Sequence, residues 1–222
     1  AALAREIAAA VKDEAAEILF VDDGSADGTA AALAALKPEL PPLRILQHDR
    51  NLGQSRAVRT GVLAARGDII ATLDGDGQND PAAIPAMLTL LRSSNDPQLA
   101  MIAGVRVNRQ DASNRRLASG LANRFRRRML KDQAADSGCG LKVFRRDAFL
   151  ALPYFDHMHR FLIALMRREG YEVHEAPVNH RARLHGQSKY GNFHRAVVGL
   201  VDTFGVRWLQ KRFGGRVEAK EL

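Results

Sequence analysis

Short apolar runs alternate with helix-like stretches through the first hundred or so residues, and the runs end in acidic or turn-forming residues. Residues 3–12 are Ala-rich and read as a helix, and 17–21 as a strand ending in Asp22-Asp23-Gly24-Ser25. Asp27 is placed to cap a helix through Leu36, which Pro38 breaks. Residues 43–47 read as a strand, 53–66 as a helix closed by Gly67, 69–73 as a strand, 81–92 as a helix with Pro81 near its first turn, and 100–105 as a strand. A parallel strand pair needs a long crossover, and a helix in that crossover covers the sheet face. The alternation therefore predicts an α/β fold with a doubly wound, mostly parallel sheet flanked by helices.

The strand ends carry the chemistry. After the run 69–73 the chain reads Asp74-Gly75-Asp76-Gly77-Gln78-Asn79-Asp80-Pro81. Ligands of open α/β sheets bind just outside the carboxyl ends of the strands. Asp74, Asp76 and Gln78 offer oxygen and amide groups of the kind that suit a hard divalent cation, Mg²⁺ or Mn²⁺. Gly75 and Gly77 allow close backbone approach, yet the same residue types also build ordinary turns, so both readings stand at this point. A calcium-binding EF-hand is excluded by counting. Its sixth and twelfth positions want Gly and Glu, whereas a loop from Asp74 has Asn79 and Pro85 there, and one from Asp23 has Gly28 but Ala34. Neither cluster is a complete cation cage, so water or substrate would supply the remaining oxygens. Asp22 and Asp23 end their strand as Asp74 and Asp76 end theirs, giving a rim where a nucleotide's base and ribose can be bonded beside a metal-held diphosphate. No G-x-G-x-x-G follows a strand and no GK[ST] occurs, so cations rather than a glycine cradle would handle the phosphates.

Charge and composition narrow the partners. The formal net charge is +8, and arginines bunch at 115–116, 124–128, 145–146 and 167–168. Such a surplus attracts nucleic acid, an acidic membrane face or a phosphorylated substrate, or simply solvates the surface. One cysteine, Cys139, excludes an internal disulfide and, without a Cys/His cluster, suits a reducing compartment and no structural zinc. The seven histidines are scattered and read as surface or core residues. The 222 residues suit a single domain, 1–222, with one sizeable core. Beyond residue 113 the order changes to a basic helix reaching Leu130, an irregular 136–140 segment, a helix over 158–168, a strand over 172–177 and a polar loop. The apolar stretch 196–209 is too short to span a membrane and contains Asp202 and Arg207. Phe193, Val197, Leu200, Phe204 and Trp208 recur at helical steps, with Arg207, Lys211 and Arg212 at the end. Residues 191–213 therefore form a helix that packs its stripe on the core, the commoner arrangement, or lays it on a membrane.

Five segments occur together in one order: FVDDGSADGT, NLGQSRAVRTGVLAARGDII, TLDGDGQNDP, DSGCGLKVFRRDAF and RARLHGQSKYGN. In that order they resemble family 2 glycosyltransferases of the GT-A fold, in the branch that includes dolichol-phosphate mannose synthase and bacterial polyprenyl-phosphate glycosyltransferases. The resemblance runs from Ile18 to about Arg212. The acidic motifs indicate only the superfamily, and R-x-x-G-x-S-K-Y at 183–190 is what narrows it to lipid-phosphate acceptors.

The resemblance implies a metal-dependent, inverting transfer of sugar from a UDP- or GDP-linked donor to a polyprenyl phosphate, with Mg²⁺ or Mn²⁺ as cofactor. Asp22, Asp23 and Ser25 match the motif that holds the donor's nucleobase and ribose. Asp74 and Asp76 match the D-x-D pair and Gln78 the glutamine after it, so these three are the implied metal ligands. Arg106 matches an arginine near the donor phosphates, and Asp136 an aspartate before the acceptor-side loop. Arg115 or Arg116, with Ser119, matches a stretch near the acceptor phosphate; Arg183, Ser188 and Lys189 match a loop closing over both phosphates. Asp76, Asp136, Arg183 and Lys189 are thus the implied catalytic set. An acceptor phosphate is already anionic at neutral pH, so no strong base is needed, which fits a chain without a convincing catalytic His or Ser triad. The resemblance further implies a protein peripheral on the inner face of the cytoplasmic membrane, able to pair with itself or with a membrane protein, and not a nucleic-acid binder. The nearest alternative within the family is a polysaccharide or other cell-envelope acceptor. A nucleic-acid-binding domain or a nucleotidyltransferase are the rival classes. The family also opens with a strand carrying a P-x-x-N-E segment that has no counterpart here, so the sheet is expected without its N-terminal strand.

Overall fold

The computed structural model describes residues 1–107, 124–181 and 192–215, with side chains in the last segment from 197 onward. Their elements run α1 (Ala2–Ala10), β1 (Ile18–Asp22), α2 (Thr29–Ala34), β2 (Leu43–Gln47), α3 (Gln54–Ala64) and β3 (Ile69–Thr72). A 3₁₀ turn (Pro81–Ala83), α4 (Ile84–Arg92) and β4 (Leu99–Val107) follow. Then come a helical stretch α5 over 124–130, β5 (Lys142–Arg145), α6 (Arg146–Leu150), a second 3₁₀ turn (Met158–Arg160), α7 (Leu162–Arg168), β6 (Glu172–Asn179) and α8 (Asn192–Arg212). The fold class follows the expected α/β pattern, with two amendments to the sheet.

First, the strands form two sheets instead of one. β1 and β2 pair in parallel, and the other four run in the order β3-β5-β4-β6. Second, β5 is antiparallel to both β3 and β4, while β4 and β6 are parallel, so β5 alone opposes the common direction of its sheet. β4 is the central strand. Its run Leu99-Ala100-Met101-Ile102-Ala103-Gly104 is buried on both faces, as a strand covered by helices must be. Gly104 is required there, since a Cβ would stand 2.8 Å from the Leu141 carbonyl oxygen and 3.0 Å from Cys139 Sγ. That close crossing delivers the 136–140 segment to the carboxyl end of β3.

Three apolar clusters form the core. The largest joins α3, β4, β5, α6, α7 and α8 through residues such as Val62, Met101, Phe144, Phe149, Leu165 and Val206. A second packs α4 (Ile84, Met87, Leu91) on β4 and β6, and the smallest holds Ala4 of α1 against Ile18 and Leu43.

Several local expectations shift by a few residues, each for a visible reason. Asp27 is not the N-cap of α2; Gly28 is, in the left-handed region at φ 75°, and Asp27 accepts from Thr29 N one position upstream. Gly67 does not close α3, whose C-cap is Ala65 in an extended conformation. The helices expected over 81–92 and 158–168 each begin as 3₁₀ turns, and Asp80 caps the first by accepting from Ala82 N. The stripe on α8 is the larger correction, because Val197, Leu200, Phe204 and Trp208 lie 44, 47, 56 and 58% exposed. The core is met instead by Thr203 and Val206, and among the described residues Phe204 of the stripe packs edge-on against Phe125, with ring centroids 6.2 Å apart. Phe193 lies outside the described side chains.

Candidate functional site

The amino end of α3 gathers both acidic strand ends. Leu52 and Gly53 donate their backbone N–H groups to the two Asp23 carboxylate oxygens at 2.9 and 2.8 Å. His48 Nδ1 lies 2.7 Å from Asp23, and its Nε2 lies 2.9 Å from Thr60 Oγ1. From the first turn of the same helix, Gln54 Nε2 donates to Asp74 Oδ1 at 2.7 Å. Helix-terminal N–H groups and the helix dipole favour carboxylates there, so the fold uses α3 as a clamp across the two strands. Burial opposes the Asp23 charge, but the bonds from His48, Leu52 and Gly53 outweigh it and hold its pKa below the ordinary carboxylate range. Asp22, almost fully buried, accepts from Ser25 N and Gln47 Nε2, both at 3.1 Å.

The second acidic loop is a hydrogen-bonded turn and a carboxylate pair together, so the two sequence readings are not exclusive. Gln78 N donates to Asp76 Oδ1 at 3.1 Å, and Asn79 Oδ1 accepts from Asp74 N at 3.2 Å. Burial, then the neighbouring Asp76 charge, raise the Asp74 pKa, while Lys142, Gln54 and Arg106 pull it the other way. Two carboxylates that repel each other in a partly desolvated site are what a divalent cation would relieve. Among the described residues there is no group of three or more His, Cys, Asp or Glu side chains that could hold a metal. Asp74, Asp76 and the Gln78 amide still fit a site whose remaining ligands come from the substrate diphosphate and water.

Two later segments complete the walls. Arg106 and Asp136, inferred separately as a contact near the donor phosphates and an aspartate of the implied catalytic set, form one bidentate pair: Nε to Oδ2 at 2.7 Å and a terminal nitrogen to Oδ1 at 2.8 Å. The structure joins them, and both line the same cavity as Asp23, Asp74, Asp76 and Gln78. From the other side, Asn79 forms a β-bridge with His180, and Arg181 N donates to the Gln78 carbonyl at 2.9 Å. Arg181 also pairs with Glu6 and Asp80. The chain thus enters segment 182–191 directly beside Gln78. Arg183, Ser188 and Lys189 lie in that segment, and Arg115, Arg116 and Ser119 lie in 108–123; all six are outside the described residues.

Other contributors carried no sequence signal. A Cβ on Gly140 would collide with the Asp74 carboxylate, so this position must be glycine for Asp74 to sit where it does. Lys142 is buried, with Nζ on the carbonyls of Cys139 and Ser137; burial lowers its pKa, and Cys139, Asp74 and Asp136 oppose that. His48 and His180 sit at the two acidic loops, whereas residue-by-residue reading treats the histidines as scattered. His159 is a core histidine in line with that reading: its Nδ1 is 2.8 Å from Ser55 Oγ, and burial, then Arg160, push its pKa down to about 3. Only spatial proximity marks Gln54, Gly140 and Lys142, because each acts on a residue at least 20 positions away or is defined by its burial.

The whole arrangement opens into one cavity of about 3140 Å³. The profile of glycosyl transferase family 2 matches residues 1–152. The chain is 38% identical over 179 residues to a dodecaprenyl-phosphate galacturonate synthase from Rhizobium johnstonii, covering 79% of this chain and 52% of that protein. It is 35% identical over 177 residues to an undecaprenyl-phosphate 4-deoxy-4-formamido-L-arabinose transferase from Edwardsiella ictaluri, covering 79% of this chain and 53% of that one. The chain therefore spans about half the length of these curated relatives. Among solved structures it superimposes on glucosyl-3-phosphoglycerate synthase from Mycobacterium tuberculosis with TM-score 0.62 at 15% identity, over 90% of this chain and 74% of that one. That enzyme was crystallised with Mn²⁺, UDP-glucose and phosphoglyceric acid. At such identity the match speaks for the GT-A fold alone.

Proposed function

The chain belongs to glycosyl transferase family 2, and from that premise we propose that it moves a sugar from a nucleotide diphosphate sugar to a polyprenyl phosphate, with inversion at the anomeric carbon. The observation that carries this reading is the pairing of Gln78-Asn79 with His180-Arg181. It sets the acidic donor loop beside the start of the basic segment holding Arg183, Ser188 and Lys189, the motif that distinguishes lipid-phosphate acceptors. The relatives named for dodecaprenyl and undecaprenyl phosphate support the same acceptor class.

Asp74, Asp76 and Gln78 would hold Mg²⁺ or Mn²⁺, which when bound supplies positive charge to the leaving diphosphate. The chain's own groups do the rest. The strand-end cluster of Asp22, Asp23 and Ser25 forms the nucleoside side of the site, and Arg106, fixed by Asp136, adds a cation on the phosphate side. An acceptor phosphate oxygen, already charged, attacks the anomeric carbon; that C–O bond forms as the bond to the donor diphosphate breaks, and the nucleoside diphosphate leaves with the electron pair. No proton must be removed first. The demand is electrostatic, to bring two anions together, and Arg183 and Lys189 answer it.

α8 supplies a route to the lipid. Its outward face carries Val197, Leu200, Val201, Phe204 and Trp208, with Arg207, Lys211 and Arg212 near its end. Among the described residues no helix is long and apolar enough to cross a membrane, so this face would rest on an anionic bilayer surface.

The test is transfer of radiolabelled sugar to polyprenyl phosphate by the wild type, Asp76→Ala and Lys189→Ala. Loss of a transition-state charge contact should lower turnover by about 10²-fold or more in each variant. Near-normal transfer by both variants would refute the assignment, and transfer only to a polysaccharide acceptor would refute the acceptor class.

A further inference from the structure

The second 3₁₀ turn carries a histidine with two different edges. Ser55, in the first turn of α3, is 1% exposed; its Oγ accepts from His159 N at 3.2 Å and lies 2.8 Å from His159 Nδ1. A sealed hydroxyl hydrogen needs an acceptor, and among the described residues Nδ1 is the one within reach. Ser55 therefore donates to Nδ1, which must be unprotonated. Burial, then Arg160, hold the His159 pKa at about 3, so at neutral pH the ring is uncharged and its single proton sits on Nε2. The side chain is thus fixed as a neutral N–H donor, with no nitrogen lone pair left to act as a base.

The Ser55 edge of the ring belongs to the core, and the opposite edge does not. His159 lines the cavity, and its Nε2 is neither sealed nor bonded among the described residues. Its position follows from the elements on either side. Gln54, the residue before Ser55, donates to Asp74 at 2.7 Å, which ties this end of α3 to the second acidic loop. His157, in the same turn region as His159, has its Nδ1 3.1 Å from Asp202 of α8. The turn thus bridges the acidic loop and α8, and the wall of the cavity takes in Asp74, His159, Leu200 and Phe125 together.

In the transfer proposed above, on which this inference rests, the donor diphosphate lies at Asp74 and Asp76 and the acceptor phosphate arrives from the α8 side. The glycosyl group passes from one to the other, so it must lie between them, where His159 stands. A sugar presents neutral hydroxyl oxygens, and a neutral N–H donor matches these without adding to the cations that the two phosphates require. A ring already held by a sealed partner also has little rotamer freedom left to lose on binding. We propose that His159 is a specificity-determining residue, its Nε2–H donating to a hydroxyl oxygen of the glycosyl group of the bound nucleotide sugar. The contact belongs to the sugar alone and not to the nucleoside diphosphate that leaves.

Two substitutions divide the ring between them. Asparagine places its amide near Nδ1, keeping an acceptor for Ser55 and removing the cavity donor. Glutamine reaches the position of Nε2, keeping a donor there and losing the Ser55 bond. Affinities for UDP-glucose, GDP-mannose, UDP and GDP are measured by calorimetry with Mn²⁺ for the wild type, His159→Asn and His159→Gln. In His159→Asn the sugar nucleotide that the wild type binds best should bind about 10-fold more weakly, with its nucleoside diphosphate unchanged within about twofold. His159→Gln should stay close to the wild type for both. Equal losses for sugar nucleotide and nucleoside diphosphate, or the same loss in both variants, would overturn the proposal, since a ring that only packs would give either. So would unchanged binding by His159→Asn. A second measurement needs no variant to fold: ¹⁵N spectra of the wild type should show His159 protonated at Nε2 alone between about pH 5 and 8, with that signal moving on addition of the sugar nucleotide and not of the nucleoside diphosphate. A proton at Nδ1, or the same movement with both ligands, would overturn the proposal as well. A wild type that binds none of the four probes would overturn the transfer reading and this inference with it, whereas binding that ignores His159 overturns the inference alone.

Discussion

Replacing Gly140 by alanine tests whether the placement of Asp74 governs donor binding. Gly140 has no positive φ, so alanine is allowed by the backbone and the whole effect comes from the added methyl. That methyl would stand 2.7 Å from Asp74 Oδ1 and closer still to the rest of the carboxylate, where ordinary contact begins at 3.4 Å. The carboxylate must retreat by on the order of 1 Å, a misplacement that can cost about 10²-fold in rate. Moving it also strains the bond from Gln54 Nε2 and the grip of α3 on the strand end. Overpacking of this kind costs about 1–3 kcal/mol of stability, which leaves a folded protein to assay. The assays are sugar-nucleotide affinity by calorimetry across a Mn²⁺ titration, and transfer to polyprenyl phosphate under the same conditions. Gly140→Ala should bind donor more weakly at every Mn²⁺ concentration and lose about two orders of magnitude in kcat/KM. A variant within threefold of wild type in both, with unfolding shifted as expected, would show that Asp74 does not position the donor.

Asp136→Asn should remove the carboxylate charge paired with the largely buried Arg106 guanidinium, costing about 3–5 kcal/mol in urea unfolding; a loss below 1 kcal/mol would mean the pair is solvent-screened. His159 is held neutral by burial, with a pKa of about 3 against 6.5 in the unfolded chain, so the unfolded state takes up a proton first as pH falls. Stability is unaffected above pH 6.5 and falls between there and about pH 3, by a few kcal/mol in all, and His159→Gln should flatten that slope; equal slopes for both proteins would refute the buried-neutral assignment. Trp208 is the only tryptophan, so its emission should shift to the blue on addition of anionic vesicles and not of neutral ones. No shift with either would refute membrane docking by α8. Asp76→Ala and Lys189→Ala, described above, complete the set.

Sequence period and punctuation made most elements legible: residues 43–47 are β2 to the residue, and the first four strands fall within two residues of expectation. Local chemistry also marked the two acidic loops, because Asp and Gly after an apolar run have few other uses. What failed was anything set by packing direction. The α8 stripe shows a helical period whether it faces core or solvent, and only the positions of Thr203 and Val206 show which side faces in. β5 reads as a short apolar piece, and its antiparallel place between β3 and β4 depends on where the 136–140 segment crosses Gly104.

The sequence by itself determined the α/β class, the two carboxylate clusters at strand ends and, through its ordered motifs, the family, because each is written in residues close together along the chain. The tertiary structure decided what those clusters are attached to: α3 as the clamp on Asp23 and Asp74, Arg106 bonded to Asp136, Gly140 against Asp74, and residues 180–181 laid along 78–79. Those contacts join residues 20 to more than 100 positions apart. A chain's local preferences carry no record of such distances, which are fixed only when the sheets and helices close on one another.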